Sequence, residues 1–175
     1  MLGPIECGPG YSIMCLNGKI LHIGYKDSLE GEKLPLIMEI GKKIQVRGIA
    51  CGYEHTSLWD FDGSFYTWGR ARNGKLGHAN QFGVFRENDY ERSPRKVVLL
   101  DNKCIIGAAL GESFTLVLSR TGNVMLIGMM KPLRFGLHND HDYISPLECE
   151  PVGLQKKKVV FVKIECGKQF AAAAD

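Results

Sequence analysis

Glycine recurs in this chain at spacings that repeat. From Gly52 the series continues through Gly63, Gly69 and Gly77, and from Gly111 the same three steps reach Gly122, Gly128 and Gly136. With glycine at 21 of 175 positions, three such coincidences arise by chance on the order of 0.002. An earlier segment follows the scheme with one residue deleted, running from Gly8 through Gly18 to Gly24. A further copy opens at Cys166-Gly167. Pro35, Pro94 and Pro151 keep the same lead, to within one position, over Gly52, Gly111 and Gly167. A period of about 50 residues means stacked supersecondary units, each unable to bury its apolar face alone. The anchor glycines Gly8, Gly52, Gly111 and Gly167 are unevenly spaced, and the variation falls after each hairpin, where a surface connection varies.

The units read as strands. Tyr11 to Leu16 and Lys19 to Ile23 flank Asn17-Gly18; Thr56 to Trp59 and Ser64 to Trp68 flank Phe61-Asp62-Gly63; Thr115 to Leu118 and Asn123 to Ile127 flank Arg120-Thr121-Gly122. Asn-Gly and Asp-Gly between β-rich runs are hairpin signals, because positive φ is cheap without a Cβ. Ile44 to Ala50, Cys104 to Leu110 and Val159 to Glu165 add one strand per unit. The best helical candidate, Ser28 to Lys42, is broken by Gly31, Pro35 and Gly41. Strand-glycine-hairpin units without intervening helices predict an all-β chain built of β-propeller blades.

Composition narrows the function. At 45% hydrophobic and 23% charged residues the chain is neither a coiled coil, a collagen nor a disordered tail. A net charge of +3 is too mild to imply nucleic acid by itself. No uncharged apolar run approaches the ~18 residues of a membrane span, and the first twenty residues lack the basic start and apolar core of a secretory signal. Six scattered cysteines without a C-x-x-C pair read as reduced thiols, which predicts a cytoplasmic or nuclear setting. No phosphate loop and no G-x-S-x-G elbow occurs, so no enzyme chemistry and no cofactor is expected. His138-Asn139-Asp140-His141-Asp142 has ligand chemistry, but consecutive residues point apart and no metal site is expected there. Lys156-Lys157-Lys158 reads as a solvated strand edge.

Gly52-x-x-His55-Thr56, Asp62-Gly63, Tyr66-x-Trp68-Gly69 and Asn73-Gly74-Lys75-Leu76-Gly77 resemble the regulator of chromosome condensation repeat over most of residues 44 to 78. The flanking units match more loosely, with Phe114 for the His, Ile127 for the Trp and Phe135-Gly136 for Leu-Gly. The resemblance implies four-stranded antiparallel blades, seven to a ring, of which this chain holds three and the opening of a fourth. The units run over about 5–34, 35–93, 94–150 and, incomplete, 151–175. Gly52, His55, Gly63, Trp68, Gly69, Gly77, Gly111, Gly122 and Gly128 are then structural repeat positions. Trp59 and Trp68 are packing residues, His55 bonds buried backbone, and Cys7, Cys51 and Cys166 are small buried residues between blades.

The long connection Ala79 to Ser93 mixes Phe82, Phe85 and Tyr90 with Arg86 and Arg92, near Arg70 and Arg72. Aromatic and Arg side chains in one exposed loop are the stuff of hot spots, which makes these seven the candidate partner-binding residues. The resemblance implies a non-catalytic protein-interaction platform, with another protein as partner. The alternative it implies is nucleotide exchange on a Ran-like small GTPase with docking on chromatin, which asks for no catalytic residues. Open blade faces are expected to meet the remaining blades of a longer chain, or a second copy.

Overall fold

Each glycine-anchored segment is an antiparallel sheet whose strands lie side by side in chain order. The first contains β1 (Leu2–Gly8), β2 (Tyr11–Leu16), β3 (Lys19–Gly24) and β4 (Leu36–Glu39). The second contains β5 (Val46–Cys51), β6 (His55–Asp60), β7 (Phe65–Arg70) and β8 (Tyr90–Lys96). The third contains β9 (Ile105–Leu110), β10 (Phe114–Ser119), β11 (Val124–Gly128) and β12 (Tyr143–Glu148), and β13 (Lys163–Cys166) with β14 (Ala171–Ala174) begins a fourth. The computed structural model describes residues 2–24, 36–40, 44–78, 90–129, 143–149 and 159–175. It is an incomplete propeller of four-stranded blades, with β1, β5, β9 and β13 in successive contact as the inner strands.

The repeat glycines occupy equivalent places. The amides of Gly52, Gly111 and Gly167 donate to the carbonyls of His55, Phe114 and Phe170 at 2.9, 3.0 and 2.8 Å. In every unit the ring three residues on lies against the glycine. A Cβ on Gly8, Gly52, Gly111 or Gly167 would stand 2.6, 2.7, 2.3 or 2.3 Å from Cε1 of Tyr11, His55, Phe114 or Phe170. The ring, not a turn, is what demands glycine there.

Blades join by burying alternate strand residues. Tyr11, Ile13, Cys15 and Ile20 of the first sheet pack on Ile49, Leu58 and Trp68 of the second. Phe65 of the second packs on Ile105, Val117, Met125 and Ile127 of the third, and Leu116, Leu118 and Leu126 pack toward Ile164. Each such aliphatic side chain withdrawn from water contributes about 1.5–3 kcal/mol. All six β10 residues are buried because that blade is covered on both faces, whereas β2 alternates. On the outward face of the first sheet, Ile5, Met14, Leu21 and Ile37 form one cross-strand row, Ile5 and Ile37 being 54% and 61% exposed. Ile5 and Met14 hold the repeat positions that Ile49 and Leu58 use to dock on the blade before them.

The outer strands escape the sequence pattern. β8 reads Tyr-Glu-Arg-Ser-Pro-Arg-Lys, polar and proline-bearing, because among the described residues it pairs with β7 alone and proline belongs on such an edge. Repeat and sheet are out of phase: the sequence unit turns over at Pro35 and Pro94, whereas Leu36–Glu39 and, on both sides of Pro94, Tyr90, Glu91, Arg95 and Lys96 pair with the preceding hairpin. The small-buried-residue expectation fails for Cys7, which is exposed on the first blade's uncovered side, while Cys51 and Cys166 are half-buried. All six cysteines are free thiols.

Candidate protein-interaction face

Antiparallel order brings the β5–β6, β9–β10 and β13–β14 connections and the exit of β7 to one end of the blades. There, residues that follow the repeat glycines cross from blade to blade. Tyr53 N–H donates to the Gly111 carbonyl (3.3 Å) and Glu112 N–H to that of Lys168 (2.9 Å). The first unit has Pro9 at this place, which has no N–H, and the Tyr11 hydroxyl serves instead, its one proton shared between the Gly52 carbonyl (3.0 Å) and the His55 carbonyl (2.9 Å).

Below these tips lies a second repeated junction. Tyr11 Oη is 3.2 Å from Thr56 Oγ1 of the next blade, and His55 Nε2 is 2.8 Å from Thr115 Oγ1 of the blade after. Phe114 carries no polar group, and the equivalent next-blade residue is Ala171, which packs in the same cluster. The pairs are thus Tyr–Thr, His–Thr and Phe–Ala, matched in polarity. Thr115 donates its hydroxyl proton to the Lys75 carbonyl (2.8 Å), so it accepts from His55, which fixes the Nε2–H tautomer. Burial, aided by the Lys75 charge, holds His55 well below the usual histidine range and therefore neutral. The Nε2 partner is a hydroxyl, through which the ring reaches the Lys75 carbonyl.

Lys75 enters beneath the face through a short 3-10 turn, Arg72–Gly74, in which Asn73 (φ 60) and Gly74 (φ 69) are left-handed. Its side chain is 2% exposed, with Nζ donating to the Glu112 carbonyl at 3.1 Å and lying 3.6 Å from Glu54 Oε2. Burial pushes the ammonium below the ordinary lysine value, and the Glu54 carboxylate opposes that. Arg70 Nη1 is 3.8 Å from Glu54 Oε1. Glu112 meets Lys168 Nζ (3.5 Å) and accepts from Gln169 Nε2 (3.2 Å). Lys168 Nζ stands 4.8 Å from the centre of the Tyr53 ring. The result is a band, Arg70–Glu54–Lys75–Glu112–Lys168–Tyr53, that spans three sheets.

Of the sequence-derived partner residues, Arg70 and Tyr90 are register partners across β7 and β8, at the edge of this band. Arg72 is exposed on the turn beside it, and Arg92 is exposed on β8. Phe82, Phe85 and Arg86 lie outside the described residues, as do His138–Asp142 and Lys156–Lys158. Sequence reasoning missed Tyr53, Glu54, Lys75, Glu112, Lys168 and Gln169. Their signal was present: Tyr53-Glu54, Glu112-Ser113 and Lys168-Gln169 are the two residues after each repeat glycine, hence loop tips by construction. Among the described residues no three His, Cys, Asp or Glu side chains are placed to hold a metal ion, and no helix is long and apolar enough to cross a membrane.

The regulator of chromosome condensation (RCC1) repeat model matches residues 62–118. The chain is similar to human Protein RCC2, 29% identical over 134 residues, which is 75% of this chain and 24% of that one. It is similar also to the human Probable E3 ubiquitin-protein ligase HERC3, 32% identical over 124 residues, 71% of this chain and 11% of that one. The chain therefore spans about a quarter or less of the length of these relatives. Among solved structures, human WBSCR16 superposes with a TM-score of 0.78 at 18% identity, over 98% of this chain and 44% of that one. Prp20p of Saccharomyces cerevisiae, described with its binding properties to Gsp1p and histones, gives 0.76 at 16% identity, over 97% and 42%.

Proposed function

Since this chain belongs to the regulator of chromosome condensation repeat family, we propose that it serves as a non-catalytic protein-interaction platform that reads its partner with the loop-tip face. The observation that carries this reading is the charged and aromatic band across three blades, whose members come from loop tips held by a strand frame. Fixed donors and acceptors lose little entropy on docking. The outward apolar row of the first blade takes a further blade, from the rest of a longer chain or from a second copy.

The test is affinity capture from cell extract with the wild-type chain, followed by titration of the captured partner against variants. Arg72→Glu with Tyr53→Ala is expected to weaken binding by about 30-fold, the scale of one hot spot. Arg120→Glu, on an exposed residue at the opposite end, should leave it unchanged. Equal loss in both would remove the face from the proposal. The similarity to Prp20p motivates the exchange alternative, and accelerated GDP release from a Ran-like GTPase at micromolar protein would replace the platform reading with it.

A further inference from the structure

The one-residue deletion in the first unit has a structural result at the other end of the blades. The hairpins of the second and third blades reach across to the next blade. The carbonyls of Gly63 and Gly122 accept from Ile105 N–H (2.9 Å), the first residue of β9, and from Phe161 N–H (3.0 Å), in the lead-in to β13. Those contacts are tight: a Cβ on Gly63 would lie 2.6 Å from Cys104 Cα, and one on Gly122 would lie 2.4 Å from Val160 Cγ1. The corresponding turn of the first blade, Asn17-Gly18, is a two-residue turn with both φ values positive (50 and 74). Among the described residues it makes no such crossing. The Gly18 carbonyl accepts from Ile40 N–H of its own blade at 3.2 Å, and among the described residues nothing stands within 4 Å of where its Cβ would be.

A cleft of about 650 Å³ opens between the first and second blades where the crossing is missing. Pro4 and Gly18 line its first-blade side, and Ile44, Val46, Arg47 and Phe61 its second-blade side. Six residues before its repeat glycine, Val46 holds the place from which Ile105 and Phe161 donate their amides. Phe61 is 60% exposed at the rim. Of the two cations lining the cleft, Lys19 is paired with Glu39 at 3.3 Å, while Arg47, among the described residues, has no ion-pair partner.

We propose that this cleft binds an extended peptide segment of a partner protein in which an apolar residue adjoins an acidic one. The segment's backbone carbonyl takes the Val46 amide, as Gly63 and Gly122 take theirs. Its apolar side chain covers Ile44 and Phe61, and its carboxylate meets Arg47, whose guanidinium fits a planar anion. A segment in this place completes the first junction as the longer turns complete the others, independently of the face at the opposite end.

The experiment is selection of a random twelve-residue phage-displayed peptide library on the full chain, then fluorescence anisotropy with the selected peptides. The expected consensus is an apolar residue next to Asp or Glu. Arg47→Glu should weaken those peptides at least tenfold. Insertion of one aspartate between Leu16 and Asn17, which restores the longer turn spacing, should abolish binding, with thermal unfolding confirming that each variant folds. No enriched peptide, a consensus without an acid, or peptides that bind the Arg47→Glu chain as well as the wild type would each overturn the proposal.

Discussion

Gly111→Ala is expected to be among the most damaging single-methyl additions this chain can receive. The new Cβ would stand 2.3 Å from Phe114 Cε1 and 2.4 Å from its Cζ. The ring has nowhere to go: it is 2% exposed and packs in one cluster with Ala109, Leu116, Leu126 and Cys149. Overpacking a full core costs typically about 1–3 kcal/mol and sometimes more. A loss near 3 kcal/mol lowers the melting temperature by about 6–12 °C in a chain of this size. Gly18→Ala is the contrasting case, since its Cβ enters open space among the described residues and only the left-handed φ of 74 is strained; that cost is about 1–2 kcal/mol. Thermal unfolding of the two variants checks the ordering. Equal losses would mean that turn conformation, and not ring contact, fixes the repeat glycines.

Acid should unfold the chain well before its carboxylates are protonated. Burial holds His22 and His78 down to about 4, and holds His55 well below its ordinary value of 6.5. In each case the unfolded state takes up a proton that the folded state refuses. Stability is therefore intact above pH 6.5 and drains away as pH falls from there toward 4. The slope is about 1.4 kcal/mol per pH unit for each such histidine. Urea unfolding at pH 7.0, 6.0 and 5.0 should give midpoints that fall at each step, with proton uptake on unfolding approaching three near pH 5. A midpoint flat between pH 7 and 5 would show that these rings are not buried neutral.

The inner part of every blade was legible in the sequence because it is built from hard local constraints. Asn17, Gly18 and Gly63 take left-handed φ, and the strands on either side are runs of apolar and β-branched residues; residue type carries both facts. β8 was illegible for the opposite reason. A strand with a single neighbour can be polar and hold Pro94, so nothing in its own residues marks it as a strand. The face followed the same rule. Arg70, Arg72 and Tyr90 stood out as types, whereas Lys75 belongs to the band only because a left-handed turn folds it under Glu112. The matched pairs Tyr11–Thr56, His55–Thr115 and Phe114–Ala171 were in the repeat all along, at the third and fourth positions after each glycine. Their pairing across blades needed coordinates, since each partner sits in the following unit. The deletion before Gly18 was visible too, but its effect on the next blade was not.

The account rests on one blade's ring residue engaging the next blade's first hairpin strand, and a double-mutant cycle on His55 and Thr115 probes that contact most directly. His55→Ala, Thr115→Ala and the double variant should unfold with a coupling energy of about 1–2 kcal/mol between the two sites, since each single change strands a buried polar partner. Additivity of the two changes would mean that the blades are not joined in this way.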